Sequence, residues 1–143
     1  MDLVDLIRIY QCFCDETRLR ILHLLTHGPL CVCHFQSLLN ESQVKVSKHL
    51  AYLKEKGLVA VTRHQNWMIY SLPQRPSQEL RKNLECLQDC VQTEPVFKND
   101  LKALKSINRE VKWIEDTLAC CGKPARILKS SNETKKTGAA SCR

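Results

Sequence analysis

The spacing of the apolar residues changes abruptly between residues 43 and 72. From Gln43 to Lys56 they recur every three or four positions, as one face of an amphipathic helix requires, and Gly57 follows as a helix stop. Beyond Gly57 the period becomes two, with a polar break at residues 64–66, which predicts a β-hairpin. The residues that carry the two periods are Val46, Leu50 and Leu53, then Val59, Val61, Met68, Tyr70 and Leu72. A helix followed directly by a two-stranded ribbon predicts a mainly α fold with a small β-hairpin.

Helical spacing predicts further helices on both sides of this unit. Residues 2–13 carry one apolar stripe, Asp15 is a candidate N-cap for a second helix that ends at Gly28-Pro29, and a short third helix lies near residues 33–40. Two more helices follow the hairpin, one through Leu80–Val91 and a longer one from Pro95 through Leu118. The order of elements is that of a winged helix-turn-helix.

Three regions are therefore expected along the chain. Residues 1–92 form the winged helix-turn-helix, which is to bind DNA and sense a signal, and residues 93–121 form an additional C-terminal helix. Residues 122–143 are rich in Ser, Lys and Gly and are expected to form a flexible, disordered basic tail.

The net charge of +7 is concentrated in two stretches. Residues 122–143 hold six basic side chains against one acidic, as a solvated tail would. Residues 42–72 hold five basic side chains against one acidic, and they coincide with the predicted helix and hairpin. A local basic patch on a nearly neutral body indicates a surface that binds a polyanion.

Hydropathy and cysteine content exclude several classes of protein. No apolar run approaches the ~18 residues that a membrane-spanning helix needs, and residues 1–5 are acidic where a secretory signal would be basic. A cytoplasmic protein with no membrane partner is expected, so its nine cysteines are interpreted as thiols, ligands or redox groups. There is no Cys-x-x-Cys motif, glycine-rich phosphate loop or plausible carboxylate pair to support an enzyme with a catalytic cofactor.

The predicted helix and ribbon have the chemistry of a DNA-reading unit. In a winged helix-turn-helix the second paired helix enters the major groove, and the ribbon reaches the flanking backbone of the double-stranded DNA. Lys and Ser suit phosphates, Gln suits adenine, and an exposed Val suits the thymine methyl group. The predicted DNA contacts are Gln43, Val44, Lys45, Ser47, Lys48, His49, Tyr52, Arg63, His64 and Gln65.

Four segments together resemble the ArsR–SmtB family of metal-responsive repressors. They are residues 14–22, 30–33, 42–53 and 57–59, and the resemblance covers residues 5–92. It implies a homodimeric repressor that sits on an inverted repeat in the operator DNA of its own operon and is released by an inducer. The family usually has Gly at the hairpin tip, where this chain has Gln65-Asn66; Asn tolerates the left-handed conformation that such a turn needs.

Cys31 and Cys33 are the most specific chemical motif of the sequence. Two thiolates at i, i+2 can close on one soft ion only where the backbone is not helical, and a helix start after Gly28-Pro29 allows this. A helix N-terminus is also expected to lower the thiol pKa. In the resemblance, Leu-Cys-Val-Cys is the arsenite-sensing pattern of the arsenic branch. It implies As(III), inorganic or methylated, as the inducer bound by Cys31 and Cys33.

The ligand set is incomplete relative to the family pattern. Gln36 stands where a third thiol is usual, and His34 stands where an Asp usually follows the pair. Other thiols are candidates for the third ligand, and a vicinal pair near the end suits a methylated arsenical with two exchangeable positions. The third-ligand candidates are Cys12, Cys14, Cys86 and Cys90, and the possible second pair is Cys120 and Cys121.

The helical positions of these thiols give further expectations. Cys14 shares the apolar stripe of Leu3, Ile7 and Tyr10 and is expected in the core, with Cys12 on the opposite side. Cys86 and Cys90 share one face at i, i+4 beside the apolar stripe of their helix. Packing at a dimer interface is the simpler interpretation of that pair.

Other signals stay open at this point. Cadmium or lead would recruit further thiolates to Cys31 and Cys33, and oxidation of the cysteine pairs would make the chain a thiol-redox sensor. Zinc is disfavoured, since the family's zinc sensors use His and carboxylates on the last helix and all five histidines precede it. His23 and His27 have the i, i+4 spacing of a metal pair, but on a Leu-rich helix they are interpreted as a solvated edge.

Overall fold

A computed structural model describes residues 2–107. Within this range the chain forms six α-helices and a three-stranded antiparallel sheet with the strand order β1-β3-β2. The helices are α1 (Leu3–Phe13), α2 (Glu16–Thr26), α3 (Val32–Leu39), α4 (Gln43–Glu55), α5 (Gln78–Val91) and α6 (Pro95–Ser106). The strands are β1 (Leu30–Cys31), β2 (Ala60–His64) and β3 (Trp67–Ser71). The prediction of a winged helix-turn-helix is confirmed.

Helix α4 packs with the face that its sequence predicts. Val46, Leu50 and Leu53 are all fully buried in the core. The Ser42 hydroxyl accepts a hydrogen bond from the Lys45 backbone N–H at the start of the helix, and Gly57 follows its end with a φ of +83°. Because a left-handed residue favours glycine, the helix stops there and the chain turns toward the sheet.

The β-hairpin forms as predicted, but it buries the other face of β3. Ile69 is fully buried and Ser71 nearly so, whereas Met68, which was expected on the inner side, is 41% exposed. Leu72, which was also expected inside, is buried, but it lies just beyond the end of β3. The reason is β1, a two-residue strand that no periodicity can reveal. It pairs Leu30 with Tyr70 and Cys31 with Ile69, and it thereby draws Ile69 into the core.

The turn of the hairpin also differs from the prediction in one residue. His64 pairs with Trp67, which leaves a two-residue turn. The residue in the left-handed region is Gln65, with a φ of 53°, rather than Asn66.

Helix α1 presents the opposite face to the core from the one that was predicted. Ile9 and Cys12 are buried, while Cys14, expected in the core, is exposed. Both sides of this helix carry apolar residues, and the side that faces the core has fewer of them. The stripe that remains outside consists of Leu3, Val4, Ile7 and Tyr10, which are 68, 52, 47 and 52% exposed.

Helix α6 packs against α2, α3 and α5. Phe97 joins the same buried cluster as the residues of the winged helix. The helix ends at Ser106 with Ile107 as its C-cap, whereas the prediction continued it through Leu118. The later residues of that predicted helix and the tail at 122–143 lie outside the described residues. Each helix within residues 2–107 is too short or too polar to span a lipid bilayer.

The contact between α2 and α6 buries polar groups. His23 is 1% exposed rather than part of a solvated edge, because the Phe97 ring packs edge-on against it with the ring centroids 5.4 Å apart. Beside it, Arg20 donates to both carboxylate oxygens of Asp100, at 2.9 and 2.8 Å, across 80 residues of sequence. This hydrogen-bonded ion pair raises the pKa of Arg20 and fixes the register of α6 on α2.

We expect Asp100→Ala to destabilise the fold substantially. The Asp100 side chain is 3% exposed and that of Arg20 16% exposed, so the variant leaves a guanidinium largely buried without its partner, at a cost on the order of 3 kcal/mol. Urea unfolding measures the loss, with Asp89→Ala at an exposed position of α5 as the matched control. Equal stability of the two variants would contradict this account of α6.

Candidate DNA-reading face and thiol site

The outward face of α4 carries most of the predicted DNA contacts. Gln43, Lys45 and Lys48 are exposed, Ser47 is half-buried, and Val44 is 65% exposed. They project from the protein because the opposite side of α4 is fixed in the core by its three buried apolar residues. The arrangement offers cations, an amide and an apolar group on one helix face, which suits the major groove.

Lys45 forms an ion pair with an acidic residue that precedes it by four positions. Its Nζ lies 2.8 Å from Oε1 of Glu41, one turn before it. The pair is exposed and therefore weak, so a phosphate can replace the carboxylate at little cost.

Two of the predicted contacts, His49 and Tyr52, lie against the protein body. His49 Nδ1 is 3.7 Å from a carboxylate oxygen of Asp15, and burial lowers the pKa of His49 although Asp15 acts in the other direction. The guanidinium of Arg18 lies 4.4 Å from the centroid of the Tyr52 ring. These contacts attach α4 to the start of α2, where Asp15 also caps the helix by accepting from the Arg18 backbone N–H at 3.0 Å.

The tip of the β2–β3 hairpin holds the remaining predicted contacts. Arg63 is exposed, and its Nε donates to the carbonyl oxygen of Gln65 at 3.3 Å. Trp67, next to this tip, is 44% exposed. Trp67 was not among the predicted DNA contacts, although an aromatic residue beside the predicted ribbon tip was a reason to consider it as one.

Cys31 occupies the junction between β1 and α3. Its backbone is extended, with φ −88° and ψ 163°, as a residue before a helix requires. Its thiol sulfur accepts a hydrogen bond from the His34 backbone N–H, while its own backbone N–H donates to His34 Nδ1 at 3.2 Å. The two residues therefore cap α3 reciprocally. The expected non-helical backbone is present at Cys31 alone, because α3 already begins at Val32 and includes Cys33.

The two thiols of this motif differ in environment. Cys31 is 2% exposed, and burial raises the pKa of its thiol to about 11, with the neighbouring Cys33 adding to the effect. The expectation that the helix N-terminus would lower it is wrong for Cys31, because desolvation outweighs the helix dipole. Cys33 is exposed in the first turn of α3.

Cys33 opens onto a cavity that it shares with the wing. The cavity holds about 550 Å³ and lies between α3, the hairpin tip and the end of α6. Its lining residues among those described are Cys33, His34, Ser37, His64, Gln65, Trp67 and Ile107. A ligand on Cys33 would thus meet both α3 and the wing.

The candidates for a third thiol ligand are scattered. Cys12 is fully buried in α1, and burial raises the pKa of its thiol to about 11. Cys14, Cys86 and Cys90 are exposed, and Cys120 and Cys121 lie outside the described residues. Across residues 2–107 no group of three or more His, Cys, Asp or Glu side chains is arranged to hold a metal ion. The described part of the chain therefore offers a pair of thiols, Cys31 and Cys33, and leaves the third ligand open.

A winged helix-turn-helix with a basic outward helix face defines a DNA-binding transcriptional regulator rather than an enzyme. Residues 15–61 match the family model described as bacterial regulatory protein, arsR family. The chain is 34% identical to the arsenic resistance transcriptional regulator ArsR2 of Pseudomonas putida over 78% of this chain and 95% of that protein. It belongs to the ArsR family of transcriptional regulators.

Two further comparisons agree with this assignment. The arsenical resistance operon repressor of Escherichia coli is 43% identical over 46% of this chain, a match that spans 57% of that protein. Among solved structures, HlyU from Vibrio cholerae superposes with a TM-score of 0.56 at 29% identity, covering 63% of this chain and 97% of that chain.

We expect alkylation to distinguish the two thiols of the motif. Cys33 is exposed, whereas Cys31 is buried with a raised pKa, so iodoacetamide should modify Cys33 faster by on the order of tenfold or more. Mass spectrometry with fragment-level assignment follows both residues in one peptide. Protein unfolded in guanidinium provides the control, since the rates should converge there. Similar rates in the folded protein would show that the Cys31 environment is described wrongly.

Proposed function

We propose that this protein is a homodimeric repressor that binds an inverted repeat in the operator of an arsenic-resistance operon in the cytoplasm and is released by As(III). The observation that carries the proposal is the position of Cys31. One residue lies in β1, caps α3 and provides one of two neighbouring thiols. An ion bound there acts on the wing and on the helix before α4 at the same time.

The proposed binding step begins at the exposed thiol. Cys33 reacts first with arsenite, and one hydroxyl group of the arsenite leaves as water with the thiol proton. The second As–S bond forms at Cys31, with loss of a second water in the same way, and draws the Cys31 sulfur toward Cys33. That movement strains the contact between the Cys31 sulfur and the His34 backbone N–H at the start of α3.

The consequence for DNA follows from packing. Helix α3 packs on α4, and Cys31 pairs with Ile69 of the wing. Displacement of Cys31 therefore shifts the two DNA-contacting elements relative to each other. A coupling of about 1–3 kcal/mol, typical of allosteric proteins, corresponds to a loss of DNA affinity of roughly 5- to 150-fold.

The support for a homodimer comes from α1. Its outer stripe exposes Leu3, Val4, Ile7 and Tyr10 together, and a contiguous apolar patch on a small domain is typical of an interaction surface. A second copy would pair the recognition helices, as reading an inverted repeat requires.

We expect arsenite to release the protein from promoter DNA only while the thiol pair is intact. With Cys31→Ser plus Cys33→Ser, arsenite should leave the DNA affinity unchanged, because no As–S bond can form at the junction. Fluorescence anisotropy with the operon's promoter fragment measures the effect. Cys86→Ser plus Cys90→Ser on α5 tests two of the third-ligand candidates: an unchanged response to arsenite excludes them from the site, and a weakened response includes one of them.

The same titration separates the alternative inducers. Methylarsenite, with two exchangeable positions, fits a two-thiol site as well as arsenite does, whereas cadmium and lead call for more thiolates. Release by peroxide and not by arsenite would favour a thiol-redox sensor through Cys86 and Cys90. Release of the Cys31→Ser plus Cys33→Ser variant by arsenite would refute the proposed site.

We expect Lys48→Ala to weaken DNA binding at every sequence tested. Lys48 is exposed on the outward face of α4, where its ammonium group can neutralise a phosphate. The alanine variant should therefore show a weaker salt dependence, with the slope of log K against log salt reduced by about one. Lys82→Ala, at an exposed lysine on α5, is the control. An unchanged slope would remove Lys48 from the set of phosphate-binding residues.

A further inference from the structure

The two histidines of α2 form a close pair at the contact with α6. His23 Nε2 and His27 Nε2 are 3.4 Å apart, and the rings are nearly perpendicular with their centroids separated by 5.2 Å. Two nitrogens bound at about 2.0–2.1 Å to one tetrahedral ion lie about 3.4 Å from each other. Hydrogen bonds between such groups prefer about 2.9–3.0 Å. The observed separation matches a shared ion better than a hydrogen bond.

We propose that His23 and His27 together bind one divalent cation that accepts tetrahedral coordination, such as Co²⁺ or Zn²⁺, at a site separate from Cys31 and Cys33. Imidazole nitrogen is a preferred ligand of these ions. The proposal does not depend on the repressor function, and both of its ligands are histidines of α2.

The surroundings of the pair come from α6. Asp100 on α6 is near enough for its charge to act on His23, although both of its oxygens are bonded to Arg20. Phe97 holds the His23 ring from the side of α6.

The proposed site is reached from the side of His27, which is half-buried. Residues 2–107 contain no group of three or more metal-ligating side chains, so the proposed site has two protein ligands within that range. Binding at Nε2 also puts a proton on Nδ1 of His23, and this buried atom has no hydrogen-bond partner among the described residues. That cost predicts affinity well below that of a structural zinc site.

The test is a calorimetric titration of the full chain with Co²⁺, together with thermal unfolding with and without the ion. His27→Gln should lower the Co²⁺ affinity at least tenfold and abolish the rise in Tm. His64→Gln, at a half-buried histidine of the wing, is the matched control and should behave as the unmodified chain does. Cys31→Ser plus Cys33→Ser should retain the His-dependent event, because the proposed site uses no thiol.

A second measurement keeps the test independent of mutation at α2. In the Cys31→Ser plus Cys33→Ser protein, Zn²⁺ should shift the ¹⁵N resonances of Nε2 in both His23 and His27. Shifts in both rings support the site. Co²⁺ binding that survives His27→Gln, or Zn²⁺ that leaves either Nε2 resonance unmoved, would overturn it.

Discussion

The antiparallel pairing of Cys31 with Ile69 joins the start of α3 to the β2–β3 hairpin. Ile69 is fully buried and Cys31 nearly so, and the same cysteine supplies the N-cap of α3. Strand β1 has two residues, yet it fixes which face of the hairpin turns inward. Because protein cores are close-packed, a shift at this point cannot be absorbed locally and is passed to neighbouring elements.

The unequal environments of the two thiols give the proposed sensor an order of events. The exposed Cys33 is available to a ligand without any change in the fold. The buried Cys31 is available only if the structure around it moves, and its raised pKa makes the thiolate scarce until then. A site of this kind holds its resting structure until both bonds form, so the second bond and the conformational change are a single step. The free energy of that bond is what shifts the equilibrium toward release.

The elements whose apolar residues follow one clear spacing could be predicted from the sequence. The inner face of α4 follows from Val46, Leu50 and Leu53, since no other face of that helix is apolar. Helix α1 has apolar residues on two faces, and the sequence of one chain cannot say which face meets its own core. The prediction favoured the larger set, and Cys12 and Cys14 were exchanged as a result.

The same limit explains the thiol site. Gly28-Pro29 predicts that Cys31 and Cys33 lie at the start of a helix. The burial of Cys31, however, depends on the pairing of β1 with β3, and a strand of two residues has no sequence pattern that predicts it. The sign of its pKa shift was therefore wrong: the helix dipole is a local property of the sequence, whereas desolvation is a property of the whole fold.

Helix α6 links the two candidate ligand sites physically. It covers His23 through Phe97 and is tied to α2 by Asp100, and the residue after its last turn, Ile107, lines the cavity at Cys33. Neither contact was visible in the sequence, because Arg20 and Asp100 are 80 positions apart and each alone is an ordinary surface charge. A buried bidentate ion pair resists sliding more than an apolar contact does, since a shift of one turn would leave both charges without partners. The position of α6 is therefore specified more sharply than its apolar contacts alone would allow.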